Sequence, residues 1–289
     1  MLIIGSKIAN KELNELFNDK KQKGLVITLI NIESLKKYKN IYMIGIGGTS
    51  MSGIAEILKN SGYNVAGSDI HESIATNKLI QSGINVTIGH NPSAISNYDL
   101  VVYSAAVKDT DPEIQRAKEL NIPTLERKIV LGEITRAFRN TICVSGTHGK
   151  STTTSMISMC FLEANLDPTI QVGATIPAID GNYRVGKSEY FVLEACEYSG
   201  SFLSFSPKAE IILNIDNDHL DYYKNIDNIK KAFVDFIKLL PDDGILVYNG
   251  DDKNCLHFSK YTKAKSLTFG INSSNCNYVA RNISYDKNG

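Results

Sequence analysis

The segment "TICVSGTHGKSTTTSM", Thr141–Met156, decides how the sequence is interpreted. It consists of a short apolar strand, a glycine-containing loop with a lysine, and the start of a helix. Phosphate groups bind in this context, because free backbone N–H groups at a helix N-terminus point toward the anion and the helix dipole favours negative charge there. The segment therefore predicts a nucleotide-binding α/β unit.

The loop contains three residues with the chemistry that a nucleotide phosphate requires. Gly149 allows close approach of the backbone, Lys150 is expected to bridge the β- and γ-phosphates, and the Ser151 hydroxyl is expected to bind Mg²⁺. The spacing GxxGK[ST] is shorter than the common GxxxxGK[ST], which would place glycine where Val144 stands. A polar helix cap is the alternative, but a lysine between a glycine and a hydroxyl favours phosphate binding.

The composition of the chain excludes several classes of protein. With 289 residues, 43% of them hydrophobic, it is long enough for two domains of roughly 100–200 residues. A formal net charge of zero gives no reason to expect nucleic acid or an anionic membrane as a partner. The sequence contains no apolar run of roughly 20 residues, no secretory signal and no CxxC pair. We expect a reduced, cytoplasmic protein.

Apolar segments of strand length alternate with amphipathic segments of helix length, which predicts an α/β fold with a mostly parallel sheet. Strands are predicted at 41–46, 64–68, 84–88, 100–105, 122–125, 189–195, 209–215 and 244–249. Helices are predicted at 51–63 and 226–240. The pattern restarts after residues 136–140, which predicts a Rossmann-like domain at 40–138, a P-loop-type α/β domain at 139–289, and an N-terminal extension of unknown role at 1–39.

A second glycine-rich loop, "GIGGTSMSGIAE", follows the first predicted strand. Gly45 and Gly47 have the spacing of a dinucleotide fingerprint, but Ser50 stands at the third glycine position. Asp69 lies close to where an acid that binds ribose would be expected. This imperfect motif is weak evidence for NAD and better evidence for some diphosphate. An NAD enzyme does not require the loop that contains Lys150 and Ser151, and a simple ATPase does not require the glycine-rich loop that begins at Gly45.

Acidic residues follow two predicted strands of the second half: Glu194 after one, and Asp216, Asp218, His219 and Asp221 after another. Ligands of open α/β sheets bind beyond the carboxyl ends of the strands, so these groups are expected to face the phosphate loop. Mg²⁺ prefers oxygen, which favours Glu194 as its ligand and makes His219 a hydrogen-bonding residue. A solvated loop is an equally good interpretation of this acidic segment, and Glu197 receives no role from chemistry alone.

Taken together, the motifs resemble the Mur ligases. "GIGGTSMSGIAEIL", "GTHGKSTTT", "EACEYSGSFL" and "NIDNDHLDYY" match that family in this order, from about residue 38 to the end. The resemblance implies that 40–138 binds a UDP-sugar and that 139–289 binds ATP. His148 is typical of the branch that adds alanine and of the related branch that recycles murein peptides. Ser50 and the pair Lys128–Ile129 depart from the family's common residues, which affects details of sugar binding.

The resemblance also implies roles for individual residues. The UDP-sugar contacts it implies are Gly45, Gly47, Gly48, Ser50, Asp69 and Ser104. The ATP contacts it implies are Gly146, Thr147, His148, Gly149, Lys150, Ser151, Thr152 and Asn249. Lys150, Glu194 and His219 are the implied catalytic residues, and Ser151, Glu194 and His219 are the implied Mg²⁺ ligands. On this basis His219 becomes a metal ligand, against the expectation from its chemistry alone.

The implied reaction is ATP-dependent amide synthesis in peptidoglycan precursor synthesis, for growth and division of the cell wall. The lactyl carboxylate of UDP-N-acetylmuramate would attack ATP to give an acyl phosphate, which the amine of L-alanine would then displace. Family members carry a third domain, which is missing here, so we expect a poorly active fragment that binds both nucleotides. The alternatives are a ligase that recycles murein peptides, or an NAD-binding redox or sensor module.

Overall fold

The computed structural model describes residues 32–284. In the first half it contains β1 (Asn40–Ile44), α1 (Thr49–Asn60), β2 (Asn64–Asp69), α2 (Ile74–Gln81), β3 (Asn85–Ile88), β4 (Leu100–Tyr103), α3 (Pro112–Glu119), β5 (Thr124–Glu126) and α4 (Arg127–Ala137). The second half contains β6 (Asn140–Ser145), α5 (Lys150–Glu163), β7 (Thr169–Ile176), β8 (Gly181–Arg184), β9 (Tyr190–Glu194), β10 (Ala209–Ile212), α6 (Leu220–Tyr223), α7 (Ile226–Ile237), β11 (Ile245–Asn249), β12 (Lys265–Gly270) and β13 (Tyr278–Val279).

The first sheet has five parallel strands in the order β3-β2-β1-β4-β5. Ile44, the last residue of β1, pairs with Ser68 on one side and Tyr103 on the other. The residues that follow these strands therefore meet at one edge of the sheet. One side of the sheet packs into a core that includes Tyr42 and Val101.

The second sheet has eight strands in the order β13-β12-β11-β10-β6-β9-β7-β8. The pairs β6–β10, β10–β11, β11–β12 and β12–β13 are parallel, and β7–β8 is antiparallel. Ser145 at the end of β6 pairs with Ile212 of β10, which in turn pairs with Tyr248 of β11. The phosphate loop and the segments after β10 and β11 therefore leave the sheet at the same edge.

These elements confirm the predicted fold class, mixed α/β with a mostly parallel sheet. Each of the eight predicted strands has a counterpart, and the predicted helices 51–63 and 226–240 correspond to α1 and α7. Strands β7, β8, β12 and β13 were not among the predictions. Within residues 32–284, no helix combines the length and apolar character needed to cross a membrane.

By contact, the described chain divides into two compact units. One contains residues up to 139 together with 155–192, and the other contains 140–154 together with the residues from 193 onward. The second unit begins at Asn140, close to the predicted boundary, but 155–192 group with the first unit. The domain limits read from the sequence therefore stay a prediction. Of the predicted extension 1–39, residues 1–31 lie outside the described part, and Ile32 and Leu35 are buried.

The second unit contains a buried aromatic cluster of three phenylalanines. Phe202 stacks on Phe236 of α7, with ring centroids 4.4 Å apart, and meets Phe233 edge-on at 5.3 Å. All three rings are fully buried. Side chains of this size contribute roughly 1.5–3 kcal/mol each when buried, so this cluster anchors the segment Tyr198–Ser204 that follows β9.

Candidate functional site

The phosphate loop between β6 and α5 has a conformation that requires glycine at its first position. Gly146 has a φ of 139°. A Cβ atom there would lie 3.0 Å from Leu213 Cβ and 3.1 Å from the backbone of Asn214. Gly149, with a φ of 83°, also occupies a region that side chains disfavour. The two glycines thus allow the loop to turn tightly over the end of β10.

Asn214 holds this loop in place, a role that sequence reasoning missed. Its side-chain oxygen accepts a hydrogen bond from the backbone N–H of His148 at 2.8 Å, and its amide donates to the His148 carbonyl at 2.9 Å. Its own backbone carbonyl accepts from the N–H of Thr147 at 3.0 Å. The Thr147 hydroxyl accepts from the N–H of Asp216 at 2.8 Å. The segment after β10 therefore fixes the loop through several hydrogen bonds.

Lys150 folds back over the loop and pairs with a buried carboxylate. Its Nζ donates to the carbonyls of Gly146 at 2.7 Å and Thr147 at 3.1 Å. It also lies 3.1 Å from both oxygens of Glu197, donating its hydrogen bond to Oε1. The side chain of Glu197 is only 2% exposed and that of Lys150 13%. Removal of either partner from such a pair leaves a buried charge uncompensated.

Glu197, which received no role from the sequence, lies beside Lys150 and His219. The ligand atoms of Glu197, Asp218 and His219 lie within 4.8 Å of one another, a group that could hold a metal ion. Glu194 is the last residue of β9 and is not part of this group. The chain turns after Ala195, whose N–H still bonds to β6 at Val144, and this turn brings Glu197 to the loop. The geometry therefore adds Glu197 as a candidate ligand, and the metal role of Glu194 stays a prediction.

The other predicted ATP-side residues lie around the same loop. Ser151 and Thr152 begin α5, and Asn249 ends β11. The Asn249 amide donates to the Leu213 carbonyl at 3.0 Å, and its oxygen accepts from the N–H of Asp251 at 2.9 Å. Both ends of this side chain thus connect loops, and its contact with adenine stays a prediction.

We expect Gly146→Ala to destabilise the chain by about 2 kcal/mol, because the change combines a disfavoured φ with the close contacts to Leu213 and Asn214. Gly62→Ala is the matched control. Its φ is 93°, but among the described residues no heavy atom lies within 4 Å of the added Cβ. Urea unfolding measures the free-energy change, and calorimetry measures ATP binding. Equal losses of stability in the two variants would contradict the proposed crowding.

The first unit contains a cavity of about 490 Å³ at the carboxyl edge of its sheet. Gly45, Gly48, Asp69 and Ser104, all predicted on the UDP-sugar side, line it. Asp69 also fixes the glycine loop, because its Oδ2 accepts from the N–H of Gly47 at 2.9 Å. Four of the six predicted residues therefore border a space of the size that ligand pockets have, and Gly47 and Ser50 are not among its lining residues.

Ser50 is oriented differently from the other predicted UDP-sugar residues. Its hydroxyl accepts a hydrogen bond from the side-chain amide of Gln171 in β7, and it is not among the residues that line the cavity. Asn182 of β8 donates to the neighbouring Thr49 carbonyl at 2.6 Å. The serine at the third glycine position thus connects α1 to the β7–β8 hairpin, and its contact with a ligand stays a prediction.

A cluster of ionisable residues in this cavity was not predicted. His90 Nδ1 lies 3.5 Å from Glu113 Oε2 and 3.6 Å from Asp111 Oδ2. Glu113 is fully buried, and its oxygens accept hydrogen bonds from the hydroxyls of Tyr42 at 2.9 Å and Ser68 at 2.7 Å. His90, Asp111 and Glu113 thus form an ionisable group on the wall of the cavity.

Comparison with protein families decides what these two sites belong to. Residues 40–139 match the model of the Mur ligase family catalytic domain, and residues 144–289 match that of the Mur ligase middle domain. This chain belongs to the Mur ligase family. The two matches cover the cavity of the first unit and the phosphate loop of the second, in the order that the sequence motifs predict.

Individual relatives show which Mur ligases this chain is similar to. It is 50% identical over 260 residues to a UDP-N-acetylmuramate–L-alanine ligase of Acetivibrio thermocellus, covering 90% of this chain and 55% of the relative. The solved structure of a UDP-N-acetylmuramate–alanine ligase from Thermotoga maritima is 30% identical to this chain and gives a TM-score of 0.72. The match covers 82% of this chain and 53% of that chain. The chain therefore spans about half the length of the alanine ligases that it matches.

A structure from the branch that joins a peptide is also similar. The UDP-N-acetylmuramate:L-alanyl-γ-D-glutamyl-meso-diaminopimelate ligase from Neisseria meningitides gives a TM-score of 0.73 at 26% identity. The match covers 80% of this chain and 78% of that chain. This chain is thus about equally similar in fold to solved structures of the two branches. The relative that is 50% identical in sequence is an alanine ligase.

Proposed function

We propose that this chain carries the UDP-sugar and ATP sites of a ligase that joins L-alanine to the lactyl carboxylate of UDP-N-acetylmuramate. The observation that carries the proposal is the buried Lys150–Glu197 pair at a phosphate loop, in a Mur ligase that is 50% identical to an alanine ligase. The cavity around Asp69 would hold the UDP-sugar, and the phosphate loop would hold ATP.

Amide synthesis of this kind needs charge neutralisation and alignment more than it needs a protein nucleophile. The substrate carboxylate forms a bond to the γ-phosphorus while the bond to the β-phosphate oxygen breaks, releasing ADP. The alanine amine then forms the C–N bond, loses a proton, and displaces inorganic phosphate. Lys150 would exchange the carbonyls of Gly146 and Thr147 for phosphate oxygens and offset the charge that develops on them.

The residues beside Lys150 fit a divalent cation such as Mg²⁺. Glu197 and Asp218 supply carboxylate oxygens and His219 an imidazole nitrogen, and Ser151 adds a hydroxyl at the start of α5. The Oε2 atom of Glu197 is buried and forms an ion pair with Lys150 at 3.1 Å but no hydrogen bond among the described residues, so it could turn to a metal ion when Lys150 moves to the phosphates. Carboxylates and phosphates are the ligands that Mg²⁺ prefers, and the ion would neutralise phosphate charge. We propose Glu197 as a carboxylate of this site beside the predicted Glu194.

Isothermal titration with UDP-N-acetylmuramate, run beside NAD, tests the role of the first unit. We expect the sugar nucleotide to bind and NAD to give no heat of binding. Asp69→Ala is expected to lower the affinity for the sugar nucleotide about tenfold, because it removes the hydrogen-bond acceptor that fixes the N–H of Gly47. The affinity for Mg-ATP is expected to stay unchanged. If NAD binds and the sugar nucleotide does not, the ligase assignment fails at its first site.

The branch that recycles murein peptides is the second candidate. It is supported by the similarity of this fold to the Neisseria meningitides ligase. Both candidates use the same sugar nucleotide and ATP, so the titration above supports either. They differ in the nucleophile, which binding of L-alanine or of a murein tripeptide to the whole protein would distinguish.

A further inference from the structure

Two tyrosines of the second unit join the segment that carries Glu197 to the turn that carries His219. Tyr198 begins the 3-10 segment Tyr198–Ser204, directly after Glu197, and Tyr223 ends α6, directly after the turn at His219. Each tyrosine contacts the opposite segment. We call this pair of reciprocal contacts the tyrosine clasp.

Tyr223 fixes the backbone of Glu197. Its hydroxyl donates a hydrogen bond to the Glu197 carbonyl, which also accepts from the N–H of Gly200 at 3.0 Å. The Tyr223 ring is buried, and burial raises the pKa of its phenol, so the hydroxyl keeps its proton and stays a donor. The carbonyl adjoining the buried carboxylate is thus held from two directions.

Tyr198 holds the imidazole of His219. The two rings lie 4.7 Å apart between centroids at an angle of 50°, and the tyrosine hydroxyl donates to Asp221 Oδ2 at 3.3 Å. His219 has a φ of 52°, a conformation that a residue with a side chain rarely adopts. Ser199 and Gly200, with φ of 56° and 65°, impose a similar turn on the opposite segment.

Left-handed residues persist where surrounding contacts over-determine them. At His219 the local contacts are hydrogen bonds to its own backbone, from its N–H to Asp218 Oδ1 at 2.7 Å and from the N–H of Tyr223 to its carbonyl at 2.9 Å. The two tyrosines add contacts between the segments, since each joins one segment to the other. They act on the backbone and ring orientation of groups that converge within 4.8 Å. Contacts of this kind behind a ligand set its orientation and commonly change metal affinity by 10–100-fold when removed.

We propose that Tyr198 and Tyr223 are positioning residues that set the relative placement of Glu197 and His219 for the metal–nucleotide complex. The proposal rests on the proposed ATP site. Neither tyrosine touches the nucleotide in this assignment; each acts through the residue that it holds.

The chain offers a matched control, because Tyr222 of α6 is a third tyrosine in the same aromatic cluster. Its ring contacts Tyr198 and Tyr223, with centroids 6.2 and 4.9 Å away. Within residues 32–284 no hydrogen bond of its hydroxyl is seen. Tyr222→Phe therefore removes a hydroxyl from the same aromatic cluster without breaking the clasp.

The experiment compares Tyr223→Phe, Tyr198→Leu and Tyr222→Phe by electron paramagnetic resonance titration of Mn²⁺ in the presence of ADP. We expect the first two variants to lose about tenfold or more in Mn²⁺ affinity and the third to lose less than about twofold. ADP binding without metal should stay within about twofold of the unmodified chain in all three. Circular dichroism unfolding in the same buffer establishes that each variant is folded.

Nuclear magnetic resonance of ¹⁵N-labelled histidine provides a readout that needs no ligand. Tyr198→Leu is expected to move the ring-nitrogen signals of His219, and Tyr222→Phe is expected to leave them in place. If the folded Tyr223→Phe and Tyr198→Leu variants bind Mn²⁺ like the unmodified chain while Glu197→Gln does not, the clasp is structural only and the proposal is overturned. If Glu197→Gln also binds normally, the assignment of the metal–nucleotide site itself is wrong.

Discussion

Lys150→Ala is expected to reduce Mg-ATP affinity by about 100-fold or more. A hydrogen bond to a charged group contributes about 1.5–3 kcal/mol, and this lysine is placed to make such bonds to the phosphates. The variant also leaves the 2%-exposed Glu197 without its cation, which is expected to lower the free energy of unfolding by about 3 kcal/mol. Isothermal titration measures the first effect and urea unfolding the second.

A double substitution separates the two effects of Lys150. Glu197→Gln added to Lys150→Ala removes the uncompensated charge, so we expect it to recover most of the lost stability. It should not recover ATP binding, because the cation is still missing. Lys208→Ala is the control, since its partner Asp243 is 81% exposed and the pair lies outside the proposed site. ATP binding by Lys150→Ala at the level of the unmodified chain would refute the phosphate role.

Glu210→Leu is expected to raise the free energy of unfolding at pH 7 by about 2–4 kcal/mol. Glu210 lies in β10, between Cys143 of β6 and Leu246 of β11, and is fully buried. Among the described residues, neither of its carboxylate oxygens has a hydrogen-bond partner. Burial raises the pKa of this carboxyl well above its usual value, so the folded chain favours the protonated form.

The same shift predicts how stability depends on pH. A carboxyl whose folded pKa is raised gives its full contribution below the unfolded pKa, and this contribution is lost as the pH rises toward the folded pKa. The loss is at most about 1.4 kcal/mol per pH unit. Urea unfolding between pH 4.5 and 8, values chosen to start near the usual glutamate pKa of about 4.3, measures the slope.

Two further variants make the Glu210 prediction specific. Glu210→Gln is expected to remove this slope but to stabilise less than leucine, because an unpaired amide stays buried. Glu163→Gln, at an exposed position of α5, changes the net charge equally and should leave the slope unchanged. An unchanged slope in Glu210→Gln would mean that the carboxyl has another partner or titrates at its ordinary pKa.

The fold class was predictable because the continuous apolar segments of the buried parallel strands are readily assigned as strands. The β7–β8 hairpin was missed for a physical reason. Strand β8, "GNYR", is half-buried throughout and has no apolar alternation. Strand β7, "TIQVGATI", does alternate apolar and polar residues, but positions 173–175 are exposed and only its first half and Ile176 are buried. Strand β13 has only two residues, and the alternation in β12, "KSLTFG", is limited to Leu267 and Phe269. Tertiary pairing, rather than local preference, makes these segments extended.

The site was predictable as far as the chemistry of single motifs reaches. Lys150 and His219 lie on either side of Glu197, a residue for which chemistry alone assigned no role, and the roles predicted for Lys150, His219 and Glu194 stay predictions. The turn after Ala195 brings Glu197 to Lys150, and Ser199 follows in a left-handed conformation, which sequence rules rarely assign to serine. Asn214 was missed because its partner, the His148 backbone, is far away in sequence.

The hydrogen bonds between Asn214 and His148 have a consequence for the kinetics of nucleotide capture. They order the phosphate loop before any ligand arrives, so little of the binding energy is lost to freezing the backbone. The conformational entropy of the loop is instead given up during folding. Capture of a nucleotide by a loop that is already shaped depends on diffusion and charge rather than on a slow rearrangement.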